Sequence, residues 1–369
     1  MNLEQKVRTA VHDLANDVPF PSDLAEVARK RGRRVRRRRQ TGLAATGLVL
    51  VAVAAVPFAL PEAHRDQPHP AATTEAPVRR TTAAPVWGKT PLKLPGDVIV
   101  TAVTRNDVGR DGPAGKTLAT GNVVLDRASG RYVALGGDYY TVWGAPKTHR
   151  GVVSGDRGLG IVRNNGRIAW AKVSYILEPQ WSPDGTRLLA TTLNGYSVID
   201  AATGKVHREN TSEVMDVCPD ECFFTWLPDG RRVALAQRDP DVPQNEEVAD
   251  TIKKVAILDV NSGKLLTTLP VRGVPSGQDA WSPDGTKVLV RGPGLGRGGG
   301  QRIVRAADGK VLGSVPDPIA HFLPNGKVLG LSTGDDDALA RLYDTGGRLL
   351  EEMTLPPSLL ARQISIGTP

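Results

Sequence analysis

The sequence predicts an all-β fold, a six-bladed β-propeller, and three observations carry the prediction. A first phrase recurs as WSPDGTRLLA from Trp181, WLPDGRRVALA from Trp226, WSPDGTKVLV from Trp281 and FLPNGKVLGL from Phe322. A second phrase follows each copy: YSVIDAATGKV from Tyr196, VAILDVNSGKLL from Val255, QRIVRAADGKVL from Gln301 and ARLYDTGGRLL from Ala340. The first phrases start 45, 55 and 41 residues apart, close to the roughly 40–45 residues of a four-stranded blade. Composition agrees, since Gly 40, Pro 28 and only 5% aromatic residues suit a turn-rich β chain.

Two upstream stretches, NVVLDRASGRYVAL from Asn122 and LGIVRNNGRIAW from Leu159, match the second phrase alone and bring the count to six. The strand VIVTAV at 98–103 is available to complete a blade where the ring closes. Seven blades, with a further unit near 97–121, is the alternative. The phrase explains its own residues. An aromatic ends one strand and packs between blades, and Pro-Asp-Gly makes a tight turn in which Gly supplies the positive φ and Asp bonds nearby amides. Trp181, Asp184, Trp226, Asp229, Trp281 and Asp284 are therefore expected to be structural.

The elements before the propeller follow in order. Residues 1–40 contain a short amphipathic helix through Leu3, Val7, Ala10 and Leu14, stopped by Pro19 and Pro21. They end in RKRGRRVRRRR at 29–39, nine cations in eleven positions. Residues 41–60 hold no charged side chain, and twenty helical residues reach about 30 Å, the thickness of a bilayer core. The cations before them predict a cytoplasmic N-terminus and an external propeller. A cleaved export signal is the competing reading, but its apolar region is usually shorter, about 7–15 residues, and ends in a small-residue site. Residues 61–95 are rich in Pro, Thr and Ala and read as an extended stalk; 96–369 are left for the propeller.

Charge limits the partners. The net +8 divides into +6 for residues 1–40 and +2 for the rest. The arginine run is thus expected to meet anionic lipid headgroups, and with no recognition motif beside it, nucleic-acid binding is not expected.

In a meander blade the first-to-second and third-to-fourth turns share one face, and the second-to-third loops and blade crossovers share the other. The first set is tight throughout; the second is long and variable, at 237–251, 292–300, 333–337 and the CPDEC crossover. That face is the candidate binding face, with Asp239, Asp241, Glu246, Glu247, Asp250, Asp335, Asp336 and Asp337 as its acids and Arg291 and Arg297 as its cations. Cys218 and Cys222 are the only cysteines. A local structural disulfide is the first reading of the pair, ahead of free thiols and a metal site. The GxGxxG of Gly294, Gly296 and Gly299 runs into a strand instead of a helix, so no dinucleotide site is expected. Asp335 to Asp337 lack the spacing of a calcium loop. His149 and His321 stand singly, and no GxSxG elbow or HExxH is present. No cofactor and no metal are expected.

The WSPDG phrase resembles the WD40-like repeat of the TolB-type propeller, over roughly residues 97–355. The layout of cytoplasmic helix, arginine run, span, stalk and propeller resembles membrane-anchored propeller proteins of high-GC Gram-positive bacteria. The resemblance implies a non-enzymatic binding or sensing module, with residues 1–40 acting on a cytoplasmic regulator such as a sigma factor, although the His-x3-Cys-x2-Cys zinc motif of one anti-sigma class is missing. A propeller lyase or hydrolase acting on envelope material is the alternative.

Overall fold

The hydrophobic runs VALA at 233–236, VAIL at 255–258 and VLV at 288–290 do not alternate with polar residues, because both faces of each blade are buried. In the strand Arg232–Arg238, Val233 and Leu235 pack toward the preceding blade while Ala234 packs toward the following one. Successive side chains of a strand point to opposite faces, so a continuous apolar run fills two interfaces at once. Seven apolar clusters form the core among the described residues, one between each adjacent pair of blades and a second, smaller one between blades 4 and 5.

The computed structural model describes residues 77–369 except 84–86, 106–117, 119–120, 138, 148–150, 220–222, 244–249, 292–298 and 335–336. They belong to one compact unit that begins at Thr74 and form six sheets, a six-bladed propeller with almost no helix. The expected segment 1–40 and span 41–60 lie outside the described residues, among which no helix is long and apolar enough to cross a membrane.

Blade 1 holds Val98–Val103, Asn122–Asp126 and Arg131–Leu135, and its inner strand is Ile364–Gly367 from the far end of the chain. Blade 2 is Thr141–Gly144, Gly151–Gly155, Gly158–Val162 and Ile168–Ala171. Blade 3 is Gln180–Trp181, Arg187–Thr192, Gly195–Asp200 and Val206–Asn210. Blade 4 is Phe224–Trp226, Arg232–Arg238, Ile252–Asp259 and Leu265–Leu269. Blade 5 is Val274–Pro275, Lys287–Arg291, Gln301–Arg305 and Val311–Val315. Blade 6 is Ile319–Phe322, Val328–Thr333, Ala338–Tyr343 and Leu349–Thr354. The alternative of seven blades falls away, because Val98–Val103 pairs with Ile364–Gly367 and with Asn122–Asp126 in one sheet.

The turns and tryptophans behave as the phrase dictates. Gly185, Gly230, Gly285 and Gly326 have φ of 71°, 61°, 69° and 79°, the left-handed region that a side chain would strain. Asp184, Asp229 and Asp284 accept backbone N–H bonds from Thr186, Arg231 and Thr286 at 3.0, 2.9 and 3.0 Å. The indole N–H groups of Trp181, Trp226 and Trp281 each donate to the preceding blade, at Trp143 O (3.3 Å), Gln180 O (3.2 Å) and Thr225 Oγ1 (3.2 Å). Each tryptophan is thus an inter-blade clasp, with its ring in the core and its one donor satisfied.

One boundary needs correction. The stretch 61–95, expected to be a stalk, contains the strand Arg79–Thr82, which adds in parallel to the outer strand of blade 6 with Arg79 opposite Glu351 and Arg80 opposite Glu352. Leu92 and Leu94 are buried in the core. An extended segment beside an open sheet edge can pair with it.

Candidate binding face

The two faces of the ring differ in what their polar groups do. On the tight-turn face, the third-to-fourth hairpins repeat the economy of the first: Asp200, Asp259, Asp308 and Asp344 accept amides of their own turns at 2.7–3.1 Å. These amides hold the Asp259, Asp308 and Asp344 carboxyls below the ordinary carboxylate range, with the Ser262 hydroxyl leading at Asp259. Carboxylates bonded in this way hold turns. The opposite face carries the second-to-third connections, of which those in blades 1, 4, 5 and 6 are long, and the crossovers.

Of the sequence-predicted residues on that face, Asp239 and Asp241 come together, but on a lysine. Lys253 Nζ bonds Asp239 Oδ1 at 3.1 Å and Asp241 Oδ2 at 2.9 Å. The Asp241 amide, then Lys253, lowers the Asp239 pKa, and the two carboxylates raise that of Lys253. One lysine thus offsets one of the two charges of this carboxylate pair. Arg291 lies with its guanidinium carbon 5.6 Å from the Phe223 ring centroid, a stacking contact. Asp250 is half-buried, and Asp337 is exposed and accepts a 3.5 Å bond from Ser332. Glu246, Glu247, Arg297, Asp335 and Asp336 lie outside the described residues. Cys218 is disulfide-bonded and packs beside Val214 and Met215 against the cluster of Phe224 and Trp226; Cys222, the chain's other cysteine, lies outside the described residues.

The same face holds an aromatic group that sequence reading missed. Tyr139 and Tyr140 come from the crossover into blade 2, Trp170 from the end of its outer strand, Arg157 from its second-to-third turn, and Tyr175 from the crossover into blade 3. Trp170 and Tyr139 have ring centroids 6.3 Å apart, and Arg157 lies 5.9 Å over Trp170. Gly160 is paired with Trp170, and a Cβ there would meet Ile168 Cγ2 at 2.5 Å and the Trp170 ring at 3.1 Å, so glycine leaves room for both side chains. The exposed Tyr140 hydroxyl donates to Asp156, whose carboxylate raises the tyrosine pKa, with Tyr175 close enough to add to the shift. The signal available in sequence was weak: three of the chain's six tyrosines fall at 139, 140 and 175, where no repeat phrase asks for them.

A second group missed at the sequence level lies inside the ring. The inner strand of blade 5 breaks after Val274–Pro275, and residues 276–280 bulge before Trp281 rejoins the sheet. Gln278 Nε2 reaches from the bulge to Trp181 O in blade 3 at 3.1 Å, two blades away. Asp279 has φ 54°, and its carbonyl accepts Phe322 N of blade 6 at 2.8 Å. His321 is 8% exposed; its Nδ1–H donates to Gln278 O at 2.9 Å, and its Nε2 is buried without a partner. Burial lowers the His321 pKa and raises that of Asp279, with each charge opposing the other's shift and Lys147 of blade 2 adding a weaker pull. Burial disfavours the charged form of each group, and a neutral imidazole that donates through Nδ1 carries its lone pair on Nε2. Among the described residues no group of three or more His, Cys, Asp or Glu could hold a metal ion.

No family model matches the chain, and no curated protein is similar to it. Among solved structures it is similar to dihydro-heme d1 dehydrogenase NirN in complex with DHE, at 16% identity and a TM-score of 0.39, over 72% of this chain. It spans 58% of the length of that chain. The propeller architecture therefore rests on the six sheets themselves.

Proposed function

We propose that the chain is a membrane-anchored, extracytoplasmic, non-enzymatic propeller that binds or senses a macromolecular ligand through its loop face, with residues 1–40 coupling it to a cytoplasmic regulator such as a sigma factor. The observation that supports the reading is the aromatic and arginine group of Tyr139, Tyr140, Trp170, Tyr175 and Arg157 on the face where loops vary. Tyr, Trp and Arg dominate the energetics of binding surfaces because they offer large, rigid contact area with one polar handle.

The test is capture of partners from native membranes with full-length chain, chain lacking residues 1–40, and full-length chain carrying Trp170→Ala with Arg157→Ala. The reading expects an external ligand retained by the first two forms and weakened about 30-fold or more in the third, the loss typical of a binding hot spot. It expects a cytoplasmic partner retained only where residues 1–40 are present. A ligand indifferent to the aromatic substitutions would overturn the assignment of the face, and no cytoplasmic partner on the full-length chain would overturn the coupling.

The buried His321 beside the half-buried Asp279 favours a second reading, a propeller lyase or hydrolase acting on envelope material, in which the unpartnered Nε2 takes a proton. Turnover of isolated cell-wall polysaccharide that is lost in both Asp279→Asn and His321→Gln, with folding intact, would support it over the first.

A further inference from the structure

A cavity of about 510 Å³ opens on the side of the ring opposite the loop face, where the segment before blade 1, the Asp126–Arg131 hairpin and Pro369 meet. Its size lies within the roughly 300–1,000 Å³ of small-molecule sites. Trp87, Leu92, Ile99 and Leu125 give it an apolar wall, Arg127 and Lys93 are its charged side chains, and no acidic side chain lines it.

The wall is fixed before any ligand arrives. Trp87 Nε1 donates to Ser358 Oγ at 2.8 Å, and its ring stands edge-on to Tyr132 at 4.9 Å. Leu92 N donates to the Tyr132 hydroxyl at 2.9 Å, and that hydroxyl donates to Val100 O at 2.8 Å. Holding the wall in one geometry removes part of the ordering cost of binding.

The cation is the anomaly. Arg127 donates Nη1 to Thr368 O at 2.6 Å and Nη2 to Pro146 O at 2.9 Å, while its Nε is buried without a partner. Among the described residues no carboxylate pairs with it, and burial lowers its pKa from the ordinary value. A half-buried guanidinium satisfied only by carbonyls keeps its full charge uncompensated, and an anion placed beside it would supply the counter-charge.

We propose that this cavity binds an amphipathic organic anion, an aromatic or alicyclic body that fills the apolar wall and carries one carboxylate, sulfonate or phosphate toward Arg127 and Lys93. The site is independent of the loop face, which lies at the other end of the blades. It sits where the two ends of the folded chain are joined, so occupancy stabilises the closed ring by mass action.

The test uses a matched pair of probes on the full chain: anilinonaphthalene sulfonate, and the neutral phenylnaphthylamine with the same rings and no sulfonate. Expected is one saturable site that takes the sulfonate about tenfold more tightly than the amine, the worth of one charge-assisted bond. Arg127→Gln cuts that preference to what Lys93 alone supplies, and Arg127→Lys keeps it. Because Arg127→Gln also removes the bonds to Thr368 and Pro146, the exposed rim residue Thr90, which makes none of them, supplies a second variant: Thr90→Trp blocks both probes and leaves thermal unfolding without probe unchanged. Equal affinity for the two probes, a sulfonate preference undiminished in Arg127→Gln, binding that survives Thr90→Trp, or uptake that does not saturate each overturns the proposal.

Discussion

Tyr132 shows how much one hydroxyl can organise. It lies 40 residues from Leu92 and 32 from Val100, and it bonds the backbone of both. Tyr132→Phe keeps the ring packing but leaves a buried amide and a buried carbonyl without that partner, at an expected cost of about 1–3 kcal/mol in urea unfolding. Burial pushes the Tyr132 pKa up to about 12, against about 10 in the unfolded chain. Its neutral form is favoured in the fold, so this contribution is complete below pH 10 and is lost as pH rises toward 12. Unfolding measured across that window should show a slope that Tyr132→Phe flattens.

Asp284 titrates in the opposite sense. The Ser282 hydroxyl first, then the Thr286 amide and hydroxyl, lower its carboxyl to about 2. Stability from the Asp284 turn is therefore present above the unfolded value of about 3.9 and falls as pH drops toward 2. Asp284→Ala should lose roughly 1 kcal/mol at neutral pH, and its deficit against the parent should close by pH 2 when both are followed by thermal unfolding. The role of this aspartate was legible in the sequence because Pro-Asp-Gly specifies a turn within four residues. Asp279, five residues earlier, was not legible. Its position in the channel depends on a bulge and on residues of blades 3 and 6, and no local pattern encodes contacts made across a ring.

At the scale of elements, the same divide separates hairpins from edges. Second and third strands are long apolar runs joined to marked turns, and the phrases located them. The strand Arg79–Thr82 was hidden, because four residues of RRTT carry no periodic signal and their register is set by the partner strand. Ala83 N donates to Thr354 O at 2.8 Å, and the period of two along a strand turns Thr81 toward the same partner. Thr81→Pro removes that donor. Amide exchange should then accelerate across Arg79–Thr82, while Val328–Thr333 and Ala338–Tyr343 of the same blade keep their protection and global stability falls by under about 1 kcal/mol. Equal loss of protection throughout blade 6 would show that the added strand is part of the blade's cooperative unit.

For the whole molecule, the decisive feature is that the ring closes without a covalent link at its seam. The inner strand of blade 1 is Ile364–Gly367, paired with the fully buried Val98–Val103 through Ile364 opposite Val103 and Ser365 opposite Ala102. No copy of either phrase announces this strand. The sequence pointed to 98–103 as the place of closure but not to its partner, since ISIG is too short to carry a pattern. A chain ending at residue 363 retains every repeat phrase, every inter-blade tryptophan clasp and five complete blades. It nevertheless exposes one whole edge of Val98–Val103 and the apolar faces of Ile364's neighbours in the cluster that joins blades 6 and 1. An open edge of that length invites pairing with another chain. The truncated protein should therefore self-associate in sizing chromatography and lose its single sharp unfolding transition, and adding the peptide of residues 361–369 should restore both properties. A truncated chain that stays monomeric and unfolds in one step at nearly the parental temperature would mean that the inter-blade clusters alone hold the ring, and that the terminal strand only covers an edge.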